Sequence, residues 1–392
     1  MSLGERVPKL RFPGFEGEWE EYKLETFMSS RDERQVPSND APLMAFIANI
    51  GVSPKGDRYD REYLVKSKDK EYKKTEFNDF IYSSNNLDVG SIGLNKYGTA
   101  VISDVYEIFT IKEGYAPNFI SELIQRPHNL YKVLRFRQGC LYGQYRIYAT
   151  DFLNVVSRAP HKDEQHKISA FLSLLDSRIA AQRKLVELLK KHKRGLLQAL
   201  FINRKGKLKL RFGEFTDPWQ EYQIGDIFEV TRGYVLPTKE TKRNPDTKYC
   251  YPVYSSQTKD DGLMGYYSKF LYVDAITWTT DGANAGTVHY RHGPFYCTNV
   301  CGVLLNNSGY ANKCIGEILN SVAKRYVSYV GNPKLMNNVM SEIRVTIPSI
   351  KEQQEIAALL TLIDARINQS QRELIKIEDI KKGLLQQMFV SS

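Results

Sequence analysis

The densest group of metal-ligand side chains is "HYRHGPFYCTNVC", residues 289–301. Zinc needs nitrogen and sulfur donors that converge as a tetrahedron, and His289, His292, Cys297 and Cys301 are the right types. Their pattern argues against it. Cys297, Asn299 and Cys301 alternate as a strand would, which puts both thiols on one inner face, where free cysteine acts as a small apolar residue. A nuclease centre would need two carboxylates and a lysine around a metal, and "EYK" (Glu71–Lys73) offers only a fragment of that set. No G-x-x-x-x-G-K-[ST] phosphate loop occurs; "GVSPKGD" (Gly51–Asp57) has two glycines without the lysine in place. The Asn-Pro-Pro-aromatic run of adenine methyltransferases is missing, and "NPD" (Asn244–Asp246) and "NPK" (Asn332–Lys334) read as turns. The expectation is a chain with no metal, bound cofactor or catalytic residue of its own.

Binding chemistry is better represented. "YPVYSSQTKDDGLMGYY" sets Ser255, Ser256, Gln257 and Lys259 on a Gly-broken loop between aromatic anchors. "TTDGANAGTVHYRHG" does the same with Thr280, Asp281, Asn284 and Arg291. The first half offers Lys55, Arg58 and Tyr59 in "SPKGDRYDREY", Lys96 and Tyr97 in "GLNKYGTA", and Gln144 and Arg146 in "GCLYGQYRIYA". Asn and Gln suit adenine edges, Arg and Lys suit guanine, and hydroxyls suit phosphate. These fifteen residues are the candidate DNA contacts. The formal net charge of +10 agrees, and residues 160–222 alone carry +7. A basic protein with a basic stripe is a nucleic-acid candidate.

The elements that must hold these loops are announced by repeats. "KLRFPGFEGEWEEY" (Lys9–Tyr22) returns as "KLRFGEFTDPWQEY" (Lys209–Tyr222), with eight of fourteen positions identical. "PHKDEQHKISAFLSLLDSRIAAQRKLVELLKKHKRGLLQALF" (Pro160–Phe201) aligns without a gap on "PSIKEQQEIAALLTLIDARINQSQRELIKIEDIKKGLLQQMF" (Pro348–Phe389). In the first copy Ile168, Leu172, Leu175, Ile179, Val186, Leu189, Leu196 and Leu200, with Gln182 and Lys193, step by four and three, a heptad seam. In the second the seam is Ile356, Leu360, Ile363, Ile367, Leu374, Ile377, Leu384 and Met388, interrupted at Ser370 and Lys381 in matching register. Pro160 and Pro348 mark the starts. About 40 residues make a rod of roughly 60 Å, and two seams related by a two-fold axis would pair antiparallel.

The segments are an N-terminal piece (1–22) expected near the C-terminus, a first variable block (23–159), a central helix (160–202), a linker with the second opener (203–222), a second block (223–347) and a C-terminal helix (348–392). The fold class is α+β: two mixed α/β domains separated by two long antiparallel coiled-coil helices, with a pseudo-two-fold internal repeat. One helix is expected in each block, at 115–138 and 309–330. Two-fold symmetry places Phe12, Phe15 and Trp19 beside Phe389, as Phe212, Phe215 and Trp219 follow the first helix. With 392 residues, an odd set of five cysteines, no apolar run of membrane-spanning length and no signal-peptide block, a soluble cytoplasmic protein without membrane contact is expected.

The whole pattern resembles the specificity subunit of type I restriction–modification systems. The likeness rests on the "KLRF…W" openers, the paired "P…EQ…L-x-D-x-R-I" helices and the "GLLQ" endings at Gly195 and Gly383. It implies that each block reads one half of a bipartite, asymmetric site on double-stranded DNA, and that the helix pair sets the spacer and docks partners. It also implies two methyltransferase subunits and two restriction/translocase subunits, with S-adenosylmethionine, ATP and Mg2+ used by those subunits. Half-site readers on one duplex face lie about one turn, roughly 35 Å, apart or a multiple of it. The competing readings are the specificity portion of a self-contained restriction–modification enzyme, and a scaffold that assembles proteins without DNA.

Overall fold

A computed structural model describes residues 6–390 apart from 49, 55–69, 88–89, 142–143, 202–209 and 257–258. The chain forms two compact units, one of Met1–Gln182 with Glu373–Ser392 and one of Arg183–Arg372. Two helices of 40 and 39 residues, Lys162–Phe201 and Ile350–Met388, each contribute to both units. Their heptad positions are all buried or half-buried, including Gln182, Lys193, Ser370 and Lys381. Pro160 and Pro348 lie two residues before the helices rather than in the first turn. Their carbonyls accept hydrogen bonds from Gln165 Nε2 at 2.9 Å and Gln353 Nε2 at 2.8 Å, so a glutamine side chain, not the proline ring, ties down each helix start.

In the first unit, Glu20–Lys23 pairs antiparallel with Val156–Ala159 and clasps the variable block at its two ends. Between them lies a four-stranded sheet in the order Met28–Ser30, Tyr106–Ile111, Phe80–Ser83, Ile92–Leu94, and a three-stranded sheet of Arg34–Gln35, Tyr72–Thr75 and Ala100–Ile102. Tyr82, Phe109 and Phe152 pack with ring centroids 4.7–5.7 Å apart. The core continues through Phe119 and Ile120 to Ile168 and Leu172 of the first long helix, Leu385 and Met388 of the second, and Phe389 just after it. The start of one helix thus meets the end of the other. Trp19 of the opener lies edge-on to Phe389 at 5.9 Å, and Leu10 N donates to Gln387 O.

The second unit repeats the frame with a different filling. Gln220–Gln223 clasps Arg344–Ile347 in the same register as its counterpart. A six-stranded sheet runs Glu229–Arg232, Cys301–Leu305, Tyr272–Thr279, Val288–Cys297, Tyr251–Tyr254, Leu263–Tyr267. Trp278, Leu304, Ile315 and Leu319 share a core with Leu200 of the first long helix and Ile356 and Leu360 of the second. Leu210 N donates to Ala199 O as Leu10 N does to Gln387 O, and Phe201 stands 6.4 Å from Trp219.

Three local expectations need correction. Residues 115–138 form two helices, Pro117–Ile124 and Pro127–Leu134, because Arg126 before Pro127 is extended (φ −61°, ψ 138°) and the proline restarts the chain at a first helical position. Residues 309–330 hold only Lys313–Val322 and a 3-10 turn, Ala323–Tyr326. Cys297 and Cys301 do not share a strand: one ends Val288–Cys297, the other begins Cys301–Leu305, and a turn separates them. Both are nevertheless buried, and burial pushes both thiols up, Cys301 to about 11.

Candidate nucleic-acid interface

The frame that aims the loops is made of charge pairs repeated in both units. Arg11 of the first opener clamps Glu164 with two hydrogen bonds of 2.8 and 2.7 Å, and Arg211 of the second clamps Glu352 with two of 2.8 Å. Glu164 and Glu352 are the acidic members of the two "EQ" pairs, so the recurring arginine and the recurring acid are one contact. Such bidentate pairs fix orientation as well as distance. The polar interruptions of the seam have partners too. Lys193 meets Asp364 at 2.8 Å and Glu317 at 3.0 Å; Lys381 meets Asp176 at 2.7 Å and Glu122 at 3.2 Å. In each case a lysine of one long helix binds an aspartate of the other and a glutamate from a helix of the variable block. Burial works against both ammonium groups, but the paired carboxylates outweigh it and hold their pKa values above the ordinary one.

At one end of the second unit several loops are stitched together. Thr298 N donates to Tyr254 O, Tyr234 N to Cys297 O, Thr280 N to Val300 O and Leu335 N to Thr280 O. Asn284 Nδ2 donates to Ser256 O at 3.1 Å, and Thr298 Oγ1 to Ser255 Oγ at 3.1 Å. Gly233 makes the crowding possible, since a Cβ there would lie 2.2 Å from Cys297 O. The candidates Ser255, Ser256, Thr280, Asp281 and Asn284 therefore do converge. Of the candidates here, Thr280 is buried and Arg291 is 8% exposed. Arg291 stacks on Tyr254 at 3.7 Å, donates to Thr277 Oγ1 and Asp261 O, and positions the loop. With Asp261 and His289 it lines both a small cavity of about 190 Å³ and a cleft of about 760 Å³. Burial, aided by Arg291, drops the His289 imidazole to about 4, so it is neutral at neutral pH. Lys259 opens the 3-10 turn Lys259–Gly262, and Gln257 lies outside the described residues.

The surface around this end includes residues that the sequence reading passed over. Tyr234 and Val235 are exposed, as are Tyr326, Tyr329 and Val330. The last three belong to "KRYVSYVGNPK" (Lys324–Lys334), which carries three cations and no acid. That imbalance was the available signal.

In the first unit the candidates fall into two groups. Lys96 Nζ is committed to Asn78 and Asn118, at 2.7 and 2.6 Å, and Asn118 in turn reaches Ser173 of the first long helix. Lys96 thus braces the block against the helix, while Tyr97 beside it is exposed. Arg146 lies over the Tyr148 ring at 4.9 Å, at the end of the strand Gln144–Arg146, and Tyr145 N donates to Asn85 Oδ1. Lys55, Arg58 and Tyr59 lie outside the described residues. Among the described residues no group of three or more His, Cys, Asp or Glu side chains could hold a metal ion, and no helix is long and apolar enough to cross a membrane.

Clasped blocks on shared helices, with converging loops, form the fold of a specificity protein, and sequence comparison agrees. Residues 216–379 match the family model of the type I restriction modification DNA specificity domain. The chain is 41% identical over 142 residues to a Mycoplasma pneumoniae protein assigned by name as the N-terminus of a type I specificity subunit, a stretch that is 36% of this chain and 74% of that one. The type I restriction enzyme MpnII specificity subunit of the same organism is 34% identical over 154 residues, 38% of this chain and 46% of that one. The chain belongs to the specificity subunits of type I restriction–modification systems. Its fold is that of the S subunit from M. genitalium, with a TM-score of 0.70 at 18% identity over 98% of this chain and 100% of that one.

Proposed function

We propose that this chain is the non-catalytic DNA-recognition subunit of a type I complex, each variable block reading one half of a bipartite, asymmetric duplex site. The observation that carries this is the constancy of the frame around unlike fillings. The same strand clasp, the same Arg–Glu clamp and the same Lys–Asp–Glu joint hold two blocks whose largest sheets have four and six strands. A protein built this way varies a loop surface while holding its mounting fixed. The long helices then act as an antiparallel coiled coil whose length sets the spacer, with polar residues at Lys193 and Lys381 locking its register. Two methyltransferase subunits dock on this subunit, use S-adenosylmethionine and flip the target adenine out of the stack. Two restriction/translocase subunits bring ATP and Mg2+. The assembly works in the cytoplasm.

The test is methylome sequencing of a strain that carries this chain and its methyltransferase partner, with residues 223–347 exchanged for those of another family member. One half-site should change while the other half and the spacer stay. A change in both halves, or no site-specific methylation at all, would sink the proposal.

A further inference from the structure

Val327 is the last buried residue before the chain runs out into a surface turn and returns to the core at Leu335. Ser328 and Lys334 exchange both backbone hydrogen bonds, at 2.8 and 2.9 Å, and pinch off residues 329–333 as a tip. Gly331 turns it with φ +76°, a left-handed angle that suits glycine. Further bonds anchor the base: Gly282 N to Pro333 O, Leu335 N to Thr280 O, and the Trp278 indole N–H to Leu335 O. The tip is therefore fixed to the Thr280–Asn284 loop. Yet Val330 is 93% exposed and Tyr329 70%. Single exposed apolar residues are ordinary. Two adjacent ones, held out on a stapled turn and flanked by exposed Lys324, Arg325 and Lys334, are a built feature.

We propose that Tyr329 and Val330 form a wedge that enters the base stack of a bound duplex. This rests on the DNA-recognition reading above. The charge pattern selects the occupant: from Ala323 to Ser341 the chain carries three cations and no carboxylate, and although Asp281 meets Lys334 at 3.9 Å across the base of the tip, the segment keeps a positive excess that suits a phosphate-lined groove better than a protein surface of mixed charge. Apolar side chains driven into a base step unstack it and kink the helix, and the bend brings more backbone onto the protein. The tyrosine ring can stack on a base face, and the exposed Lys324, Arg325 and Lys334 of the same segment can meet neighbouring phosphates.

The experiment uses the full-length chain assembled with its methyltransferase partner and duplexes containing the methylated site. 2-Aminopurine replaces bases one at a time, away from the target adenines. Fluorescence should rise several-fold at one or two neighbouring positions. In a Tyr329→Ser, Val330→Ser variant that rise should vanish, with binding about tenfold weaker, while complex assembly and melting temperature match the unmodified protein. Lys324→Ala with Arg325→Ala and Lys334→Ala should keep the rise at saturation and lower the salt slope of binding by about 3. Bound duplex with every position stacked, or an undiminished rise in the serine variant, overturns the wedge and leaves recognition standing. Loss of methyltransferase assembly in the serine variant overturns it by assigning the tip to a protein contact. If the unmodified complex shows no site-specific binding, the recognition reading falls and the wedge with it.

Discussion

Arg211→Ala should be the most informative single change to the frame. Glu352 is 1% exposed, and both its oxygens accept from the Arg211 guanidinium at 2.8 Å. Removing the arginine leaves a desolvated anion without its partner, which costs about 3–5 kcal/mol for a buried pair. The arginine is itself 23% exposed, so the lower end, about 3 kcal/mol, is appropriate. For a unit of this size each kcal/mol moves the midpoint by about 2–4 °C, giving a drop of roughly 6–12 °C. The chain has three tryptophans, Trp19, Trp219 and Trp278. In a Trp19→Phe background the remaining two report on the second unit alone, so its transition can be followed by fluorescence. Replacing both partners, Arg211→Met with Glu352→Met, should recover at least half of the loss, because no charge is then stranded. A shift under 2 °C for Arg211→Ala, or a double variant that loses the sum of the two single changes, would refute the clamp as a stabilising contact.

Three further outcomes are expected. Burial raises the Asp364 carboxyl, but hydrogen bonds from Lys193 and Lys313 outweigh it and hold it below its ordinary value of 3.8. Its stabilising contribution is therefore full above that value and disappears as pH falls through the lower folded one. Asp364→Asn should lower the urea midpoint of the second unit at pH 6, and the gap to the unmodified protein should close as the pH falls below the ordinary carboxylate range. Gly302→Ala would place a Cβ 2.1 Å from the Trp278 ring, so a loss of about 1–3 kcal/mol and a shifted Trp278 emission are expected. Deleting the heptad 185–191 shortens the first helix by about 10 Å; methylome sequencing should show intact half-sites and a spacer about three base pairs shorter.

How much could be read in advance depended on the distance over which a residue finds its partner. The seam from Ile168 to Leu200 is written in local spacing, so its buried face can be read from one segment. Gln182 and Lys193 there, and Ser370 and Lys381 in the matching seam, are visible only as interruptions. The partners of the two lysines include Glu317 and Glu122, which come from other segments, and no periodicity points to them. Arg291 has the composition of a base reader, but the fold stacks it on Tyr254 beneath the surface. Cys297 and Cys301 alternate like one strand and prove to flank a turn, since a tight turn costs few residues and leaves the alternation intact. The Tyr329–Val330 tip is invisible to periodicity because it has no repeating face. Only its charge imbalance and its glycine hint at it.

The joint at Lys193 and Lys381 also limits which blocks can be exchanged. Each lysine is supplied by the constant frame, but one of its two carboxylates, Glu317 or Glu122, is supplied by the block. The second unit adds Lys313 against Asp364, where the first has Asn118, with Lys96 bonded to it. Any incoming block must bring a carboxylate to that helix position or leave a half-buried ammonium short of one partner. Compatibility between frame and filling is therefore an electrostatic password of one residue, and libraries of hybrid specificities should be filtered for it before any loop is considered.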